Sequence, residues 1–171
     1  GQNLQTALSL PVQTLHLDLV RCPLQLDDIL ATGFVKTKTR LSLGVVDGRN
    51  IWKNDFQQSL GLIRKAVKKI GTERIWIAPS CSLLHSPCDL DMETDEQVLT
   101  PQIKQWLAFA KQKIGEVVTL KRLANGESAA DVNIQLQENI NANKSRDSSS
   151  LIHSPIVKHR VAGISVQDDR R

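Results

Sequence analysis

"RLSLGVVDGRNIWKNDFQQSLGLIRKAVKKIGTERIWIAP", residues 40–79, is the stretch that decides the fold. Leu41, Leu43, Val45 and Val46 make a short apolar run that predicts a strand over 41–46. Asp47-Gly48 is a turn pair that closes it. Asn54 or Asp55 can then cap a helix. Phe56, Leu60, Ile63, Val67 and Ile70 recur at intervals of three and four, so they share one helical face. Gly71 follows the last of them, where a helix C-terminus favours glycine. "RIWIAP" (74–79) predicts another strand over 74–78, and Pro79 stops it because proline has no N–H to give to a ladder. A strand, a crossover helix and a second strand form a parallel βαβ unit.

The same alternation extends both ways. Upstream, "PVQTLHLDLV" (11–20) predicts a strand near 12–19, and Pro23 to Ala31 a short helix with Gly33 just past its end. Downstream, Thr100 and Pro101 have the chemistry of a helix start. Ile103, Trp106, Leu107, Ala110, Ile114, Val117 and Val118 predict one unbroken apolar stripe running to about Leu123, before Asn125-Gly126. Residues 127–141 predict a weaker helix, "NKSRDSSS" (143–150) a flexible loop, and Ser154-Pro155 the start of a short helix through Val161. The class is α/β, with strand ends at Asp18–Cys22, Asp47–Asn54 and Pro79–Asp91. In βα folds, ligands gather at such carboxyl ends.

Bulk composition narrows the function classes. The chain has 171 residues, 40% of them hydrophobic and 23% charged. That suits one domain burying about 70% of its unfolded surface. The net charge is +4, with a pI near 9.1. Arg64, Lys65, Lys68 and Lys69 lie on one predicted helix with no aromatic residues between them. They are read as a solvated face, with no nucleic-acid partner expected. No apolar run approaches 18 residues, so no membrane partner is expected either. The cysteines number three, which suits reduced thiols and a cytoplasmic location.

Chemistry, if present, concentrates in "APSCSLLHSPCDLD" (78–91). Cys81, His85 and Cys88 are soft donors at close spacing, but zinc needs three or four ligands and no fourth lies nearby. Cys81 and His85 are weak metal candidates, and equally a weak thiol–base pair. The other reading is that Cys81 packs at a strand end and His85 is a hydrogen-bonded loop residue. Asp47, Arg49, Asn50 and Lys53 form a polar cluster that could bind an anion, tie down its own loop or meet another domain. His16 alternates with Leu15 and Leu17, so it lies opposite the leucines and reads as a hydrogen-bonded structural histidine. His153 and His159 suggest nothing specific. No phosphate loop, nucleophile elbow or dinucleotide fingerprint occurs.

Four strings carry a resemblance: "LPVQTLHLDLV" (10–20), "LGVVDGRNIWKNDF" (43–56), "SCSLLHSPCDLDMET" (80–94) and "WLAFAKQK" (106–113). In order and spacing they resemble the amino-terminal half of cobalamin-independent methionine synthase, 5-methyltetrahydropteroyltriglutamate–homocysteine S-methyltransferase. "IHSPIVKHRVAGISVQDDRR" (152–171) resembles that family's segment leading out of its first domain. Two departures stand out: the stretch Asp95 to Pro101 is longer than the pattern suggests, and Cys88 is not part of it.

The resemblance implies the last three βα units of a (β/α)8 (TIM) barrel over 1–124. A helical connector over 125–171 would lead toward a second, carboxyl-terminal barrel. The absence of an initial methionine fits that placement. The family implies methyl transfer from 5-methyltetrahydropteroyltriglutamate to homocysteine, with zinc activating the thiol and no cobalamin. That zinc belongs to the second barrel, whose loop "NPDCGLK" is similar to "APSCSLL" here, so Cys81 looks like the counterpart of a ligand in a copy that holds no metal. No residue of this chain is then expected to be catalytic or cofactor-binding, and the segment alone is expected to be inactive. Its expected partners are the rest of the first barrel and the catalytic barrel, met through Asp47, Arg49, Asn50 and Lys53. The alternative is a stand-alone binding or interaction module built from part of a barrel.

Overall fold

The computed structural model describes residues 3–164. The strands are β1 (Thr14–Asp18), β2 (Arg40–Val46) and β3 (Ile75–Pro79). The helices are α1 (Leu4–Ser9), α2 (Gln25–Leu30), α3 (Phe56–Ile70), the single turn α4 (Pro101–Lys104), α5 (Ala110–Ala124), α6 (Ala130–Ser148) and α7 (Pro155–Ala162). The strands form one parallel sheet in the order β1-β2-β3, as the βα alternation requires. Of the connector expected over 125–171, residues 165–171 lie outside the described residues. No described helix is long and apolar enough to cross a membrane.

Strand alternation divides the sheet into two unlike faces. Leu17, Leu19, Leu41, Leu43 and Val45 point to the helical side. There they join Leu26 and Ile29 of α2, Phe56, Leu60 and Ile63 of α3, and Leu120 and Leu123 of α5 in one core. Each such side chain contributes about 1.5–3 kcal/mol on burial. The local signals act as read: Asp55 caps α3 by accepting from Gln58 N–H at 3.1 Å, and Gly71 ends that helix at φ +82°. Ser154 caps α7 and Pro155 opens it. Thr100, by contrast, makes no side-chain cap for α4. Arg74 crosses the bottom of the sheet, donating to the carbonyls of Val35 and Thr39 at 3.0 and 2.8 Å while its guanidinium lies over the Phe34 ring.

The opposite face is polar and small: His16, Ser42, Gly44 and Ala78, with Trp76 at the β3 edge. His16 spans β2 on this face. Its Nδ1 lies 2.9 Å from Ser42 Oγ and its Nε2 3.1 Å from the Ser80 carbonyl. A carbonyl only accepts, so Nε2 donates to the Ser80 carbonyl, and Nδ1 is left to hydrogen-bond with the Ser42 hydroxyl. The crossing needs Gly44. A Cβ there would sit 2.7 Å from the Leu17 carbonyl oxygen, 2.7 Å from Ser80 Cα and 2.9 Å from the His16 ring.

Three expectations need correction. The unbroken helix from Thr100 is two elements. Between them Lys53 N–H donates to the Trp106 carbonyl and Ala108 N–H to the Ile51 carbonyl, each at 2.8 Å, which draws 106–108 into an antiparallel bridge with the β2–α3 loop. The break resets the helical phase. α5 therefore buries Lys113, Glu116, Thr119, Leu120 and Leu123, and leaves Ile114 and Val118 exposed. The expected loop 143–150 is helical through Ser148, because its polar residues find partners. Asn143 donates to the Asn54 carbonyl, Ser145 accepts from the Trp106 indole at 2.7 Å, and Arg146 stacks over Trp52. Such contacts override weak intrinsic propensity. The strand expected over 12–19 is confined to 14–18, with Val12 exposed.

Gly44→Ala is expected to cost about 2 kcal/mol, since two of its three clashes are with backbone that cannot step aside. Gly61→Ala, in open space on α3, is expected to stabilise by about 0.5–1 kcal/mol. Denaturant midpoints of the two variants should move in opposite directions. Equal midpoints would show that the sheet spreads to admit the methyl group.

Candidate functional site

The carboxyl ends of β2 and β3 form a rim, and its loops explain most of the polar residues singled out in the sequence. Asp47 accepts from Arg49 N–H at 2.8 Å through one carboxylate oxygen and from the Asn50 amide at 2.7 Å through the other. Asn50 Oδ1 in turn accepts from Trp52 N–H and from the Lys113 ammonium at 3.2 Å. Asp47 and Asn50 thus brace their own loop. Arg49 is exposed and Lys53 half-buried, and neither side chain has a hydrogen-bond partner among the described residues. These are the two cluster members left unpaired among the described residues, Arg49 at the surface and Lys53 on the wall of a cavity behind the loop.

The Cys81 loop packs onto this rim. Gly48 is buried beneath it: a Cβ there would lie 2.8 Å from the Cys81 carbonyl oxygen and 3.0 Å from its sulfur. Ser80 Oγ accepts from Gly48 N–H at 3.2 Å, and Ser86 Oγ reaches the Gly48 and Asn50 carbonyls. The Cys81 thiol lies 3.6 Å from the Ser82 carbonyl oxygen. Cys81 is therefore the packed strand-end residue of the second reading. His85 is exposed, and its ring makes no hydrogen bond among the described residues, so it is not the bonded loop histidine expected. Cys88 is also exposed.

Among the described residues, no three His, Cys, Asp or Glu side chains converge as metal ligands would. The donor set around Cys81 consists of a carbonyl and a serine hydroxyl, which does not fit zinc. The rest of the loop is tethered to α5. Lys111 bridges Asp89 at 2.7 Å and Asp91 at 3.0 Å, and Gln112 donates to Asp89 at 2.8 Å. The Lys111 ammonium beside Asp89 holds that carboxyl down at about 2, and the Asp89 carboxylate raises Lys111 to about 12.

Two ionisable groups behind the rim escaped sequence reading. Lys113, with no exposed surface, donates to Asn50 Oδ1 and, at 3.0 Å, to the Trp52 carbonyl. Burial pushes its pKa down, partly offset by the charges of Glu116 and Asp47. Glu116 is 7% exposed. One of its oxygens accepts from Asn54 N–H at 2.9 Å, and the other has no partner. Desolvation lifts this carboxyl to about 7, against the Asn54 bond and the charges of Lys113 and Lys53. The one available signal was their spacing: Lys113, Glu116, Leu120 and Leu123 share a helical face, but that face is visible only if the helix starts at Ala110.

A cavity of about 480 Å³ opens beside the rim between Leu19, Trp52, Lys53, Gln58, Arg146 and Ile152. It lies at the carboxyl ends of β1 and β2, where βα proteins place ligands. Its walls carry Asp47 and Asp55 as well as Lys53 and Arg146, so no single charge class is selected.

Parallel strands alternating with helices and a rim of strand-end loops define a βα-repeat protein. Residues 1–71 match the family described as "Cobalamin-independent synthase, N-terminal domain". Over all 171 residues the chain is 62% identical to the 5-methyltetrahydropteroyltriglutamate–homocysteine methyltransferase of Flavobacterium johnsoniae and 53% identical to that of Cytophaga hutchinsonii, covering 22% of each. It is 44% identical over 162 residues to the protein of that name from Saccharomyces cerevisiae, 95% of this chain and 20% of the yeast protein. Over nearly its whole length the chain is thus similar to methyltransferases of that name, and it spans about a fifth of the length of the curated relatives it matches.

Lys113→Met is expected to destabilise the rim by about 1.5–3 kcal/mol, the usual worth of a charged donor's hydrogen bonds. The loss should show as faster amide exchange at Asn50–Lys53, with β1 unaffected. Equal protection in both proteins would mean that the loop holds itself.

Proposed function

We propose that this chain is the closing portion of a non-catalytic amino-terminal (β/α)8 barrel. The whole protein would transfer a methyl group from 5-methyltetrahydropteroyltriglutamate to homocysteine, making methionine in the cytoplasm without cobalamin. One observation carries the reading: a match of 62% identity over all 171 residues to a methyltransferase of that name. A shared fold alone would say little about activity, whereas identity at this level over the whole chain is a far more specific likeness.

In this reading the metal that serves the reaction, zinc, sits in the carboxyl-terminal barrel. What this chain's residues do is structural. Asp47, Asn50 and Lys113 hold the 47–54 loop in one shape, and Asp89 with Lys111 holds the 80–94 loop. Both loops then present a fixed surface to the partner barrel, with Arg49 and Lys53 as the charged contacts. β1 and β3 each have one unpaired edge, and an eight-stranded barrel would cover both with strands from the same polypeptide.

The test is homocysteine methylation by the intact protein. Cys81→Ala is expected to leave turnover and zinc content within about twofold of wild type, since a packing residue at a strand end touches no reacting atom. Residues 1–171 alone are expected to show no turnover and to self-associate through the open edges. Zinc lost on Cys81→Ala, or a monodisperse and active 171-residue chain, would overturn the reading.

A further inference from the structure

Asn54, Glu116, Asn139 and Asn143 form a buried polar junction where the rim loop, α5 and α6 meet. The Asn54 carbonyl accepts from Asn139 at 2.7 Å and Asn143 at 3.1 Å, and Asn139 Oδ1 accepts from Phe56 N–H at 3.1 Å. Two acceptors in this otherwise bonded cluster have no partner: Glu116 Oε2 and Asn143 Oδ1. Beside Glu116 lies a cavity of about 250 Å³ walled by Lys53, Phe56, Gln112, Thr119, Gln135, Glu138 and Asn139. A bare carboxylate oxygen at such a place is costly, because burial without a partner forfeits its hydration. Protonation removes the charge and turns the orphaned acceptor into a donor, with Gln135 and Glu138 available as acceptors on the cavity wall.

We propose that Glu116 is a proton-operated latch: protonated, it holds the rim loop and α6 together, and ionised, it loosens their contact. The latch follows from the chain's own packing and does not depend on the methyltransferase reading. The charged groups facing it are Lys53 from the loop, Lys113 from its own helix and Glu138 from α6, with Asp47 acting on Lys113. Lys53 and Lys113 favour the ionised form and Glu138 opposes it. The folded carboxyl titrates near 7 and the free one near 4.5. The stabilisation is therefore full below the free value and is lost as pH rises through the folded one.

Hydrogen–deuterium exchange on the intact protein, corrected for intrinsic exchange, tests this. Protection of 53–58 and 130–148 is expected to fall about tenfold between about pH 5.5 and pH 8, within a ceiling of about 30-fold that the shift allows over that window. Glu116→Gln, which mimics the protonated form, should be protected at both pH values. Lys53→Met should move the loss to higher pH by removing a charge that favours ionisation. A wild-type profile matched by Glu116→Gln would overturn the latch. So would an unmoved midpoint in Lys53→Met, which stands as a test even if Glu116→Gln does not fold.

Discussion

Asn54 carries the constraint on which the rim depends. It lies between β2 and α3, half-buried where the chain turns from the sheet into a helix. Every hydrogen-bonding group it has is engaged. Its N–H donates to Glu116, its carbonyl accepts from Asn139 and Asn143, its amide donates to the Val45 carbonyl, and its Oδ1 accepts from Ser59. One residue thereby joins β2, α3, α5 and α6. Buried backbone groups must be paired, and here the pairing comes from side chains on helices far along the sequence. The positions of α5 and α6 are consequences of that need as much as of apolar packing.

The same demand explains why the polar residues at the strand ends are committed to one another. Catalysis at such a rim needs polar groups left free to meet a substrate. Asp47, Asn50, Ser80 and Ser86 spend their capacity on one another's loops, and Cys81 is pressed against Gly48 with no histidine or carboxylate hydrogen-bonded to it among the described residues. What remains unpaired is two cations, Arg49 at the surface and Lys53 on a cavity wall. Rigid loops with a few exposed charges suit recognition of another surface better than turnover.

Sequence reading went furthest where a signal is local. The β2–α3–β3 unit was legible because its turn, cap, apolar period and stop are each written within a few residues: Asp47-Gly48, Asp55, Phe56 to Ile70, Gly71 and Pro79. α5 was not legible, because its break depends on Trp106–Ala108 bridging to Ile51–Lys53, about fifty residues upstream. Once that pairing is missed, the stripe is centred on residues such as Ile114, Lys113 sits at its margin, and Glu116 falls on what reads as the solvent face. The end of α6 failed for the same reason. "NKSRDSSS" has the composition of a loop, and only the contacts of Asn143, Ser145 and Arg146 with Asn54, Trp106 and Trp52 keep it helical. Of the candidate site, the bracing role of Asp47 and Asn50 was one of three readings the residues left open. Choosing among them required knowing where the Lys113 ammonium lies.

The sheet's second face shows how far this chain completes itself. Leu41 to Val46 of β2 are buried, although helices cover only one of that strand's faces. The other face is closed locally: His16 lies across Gly44, and the loops after β2 and β3 fold over Val46 and Ser80. The flanking strands have no such cover. Trp76 on β3 is 52% exposed, with the Arg40 guanidinium 5.8 Å from its ring centroid. Beyond it a groove of about 450 Å³ runs between Trp76, Val67, Val117 and Val118. Within this chain β2 is therefore the covered middle strand, braced by the His16 strut, and β1 and β3 are its less covered edges.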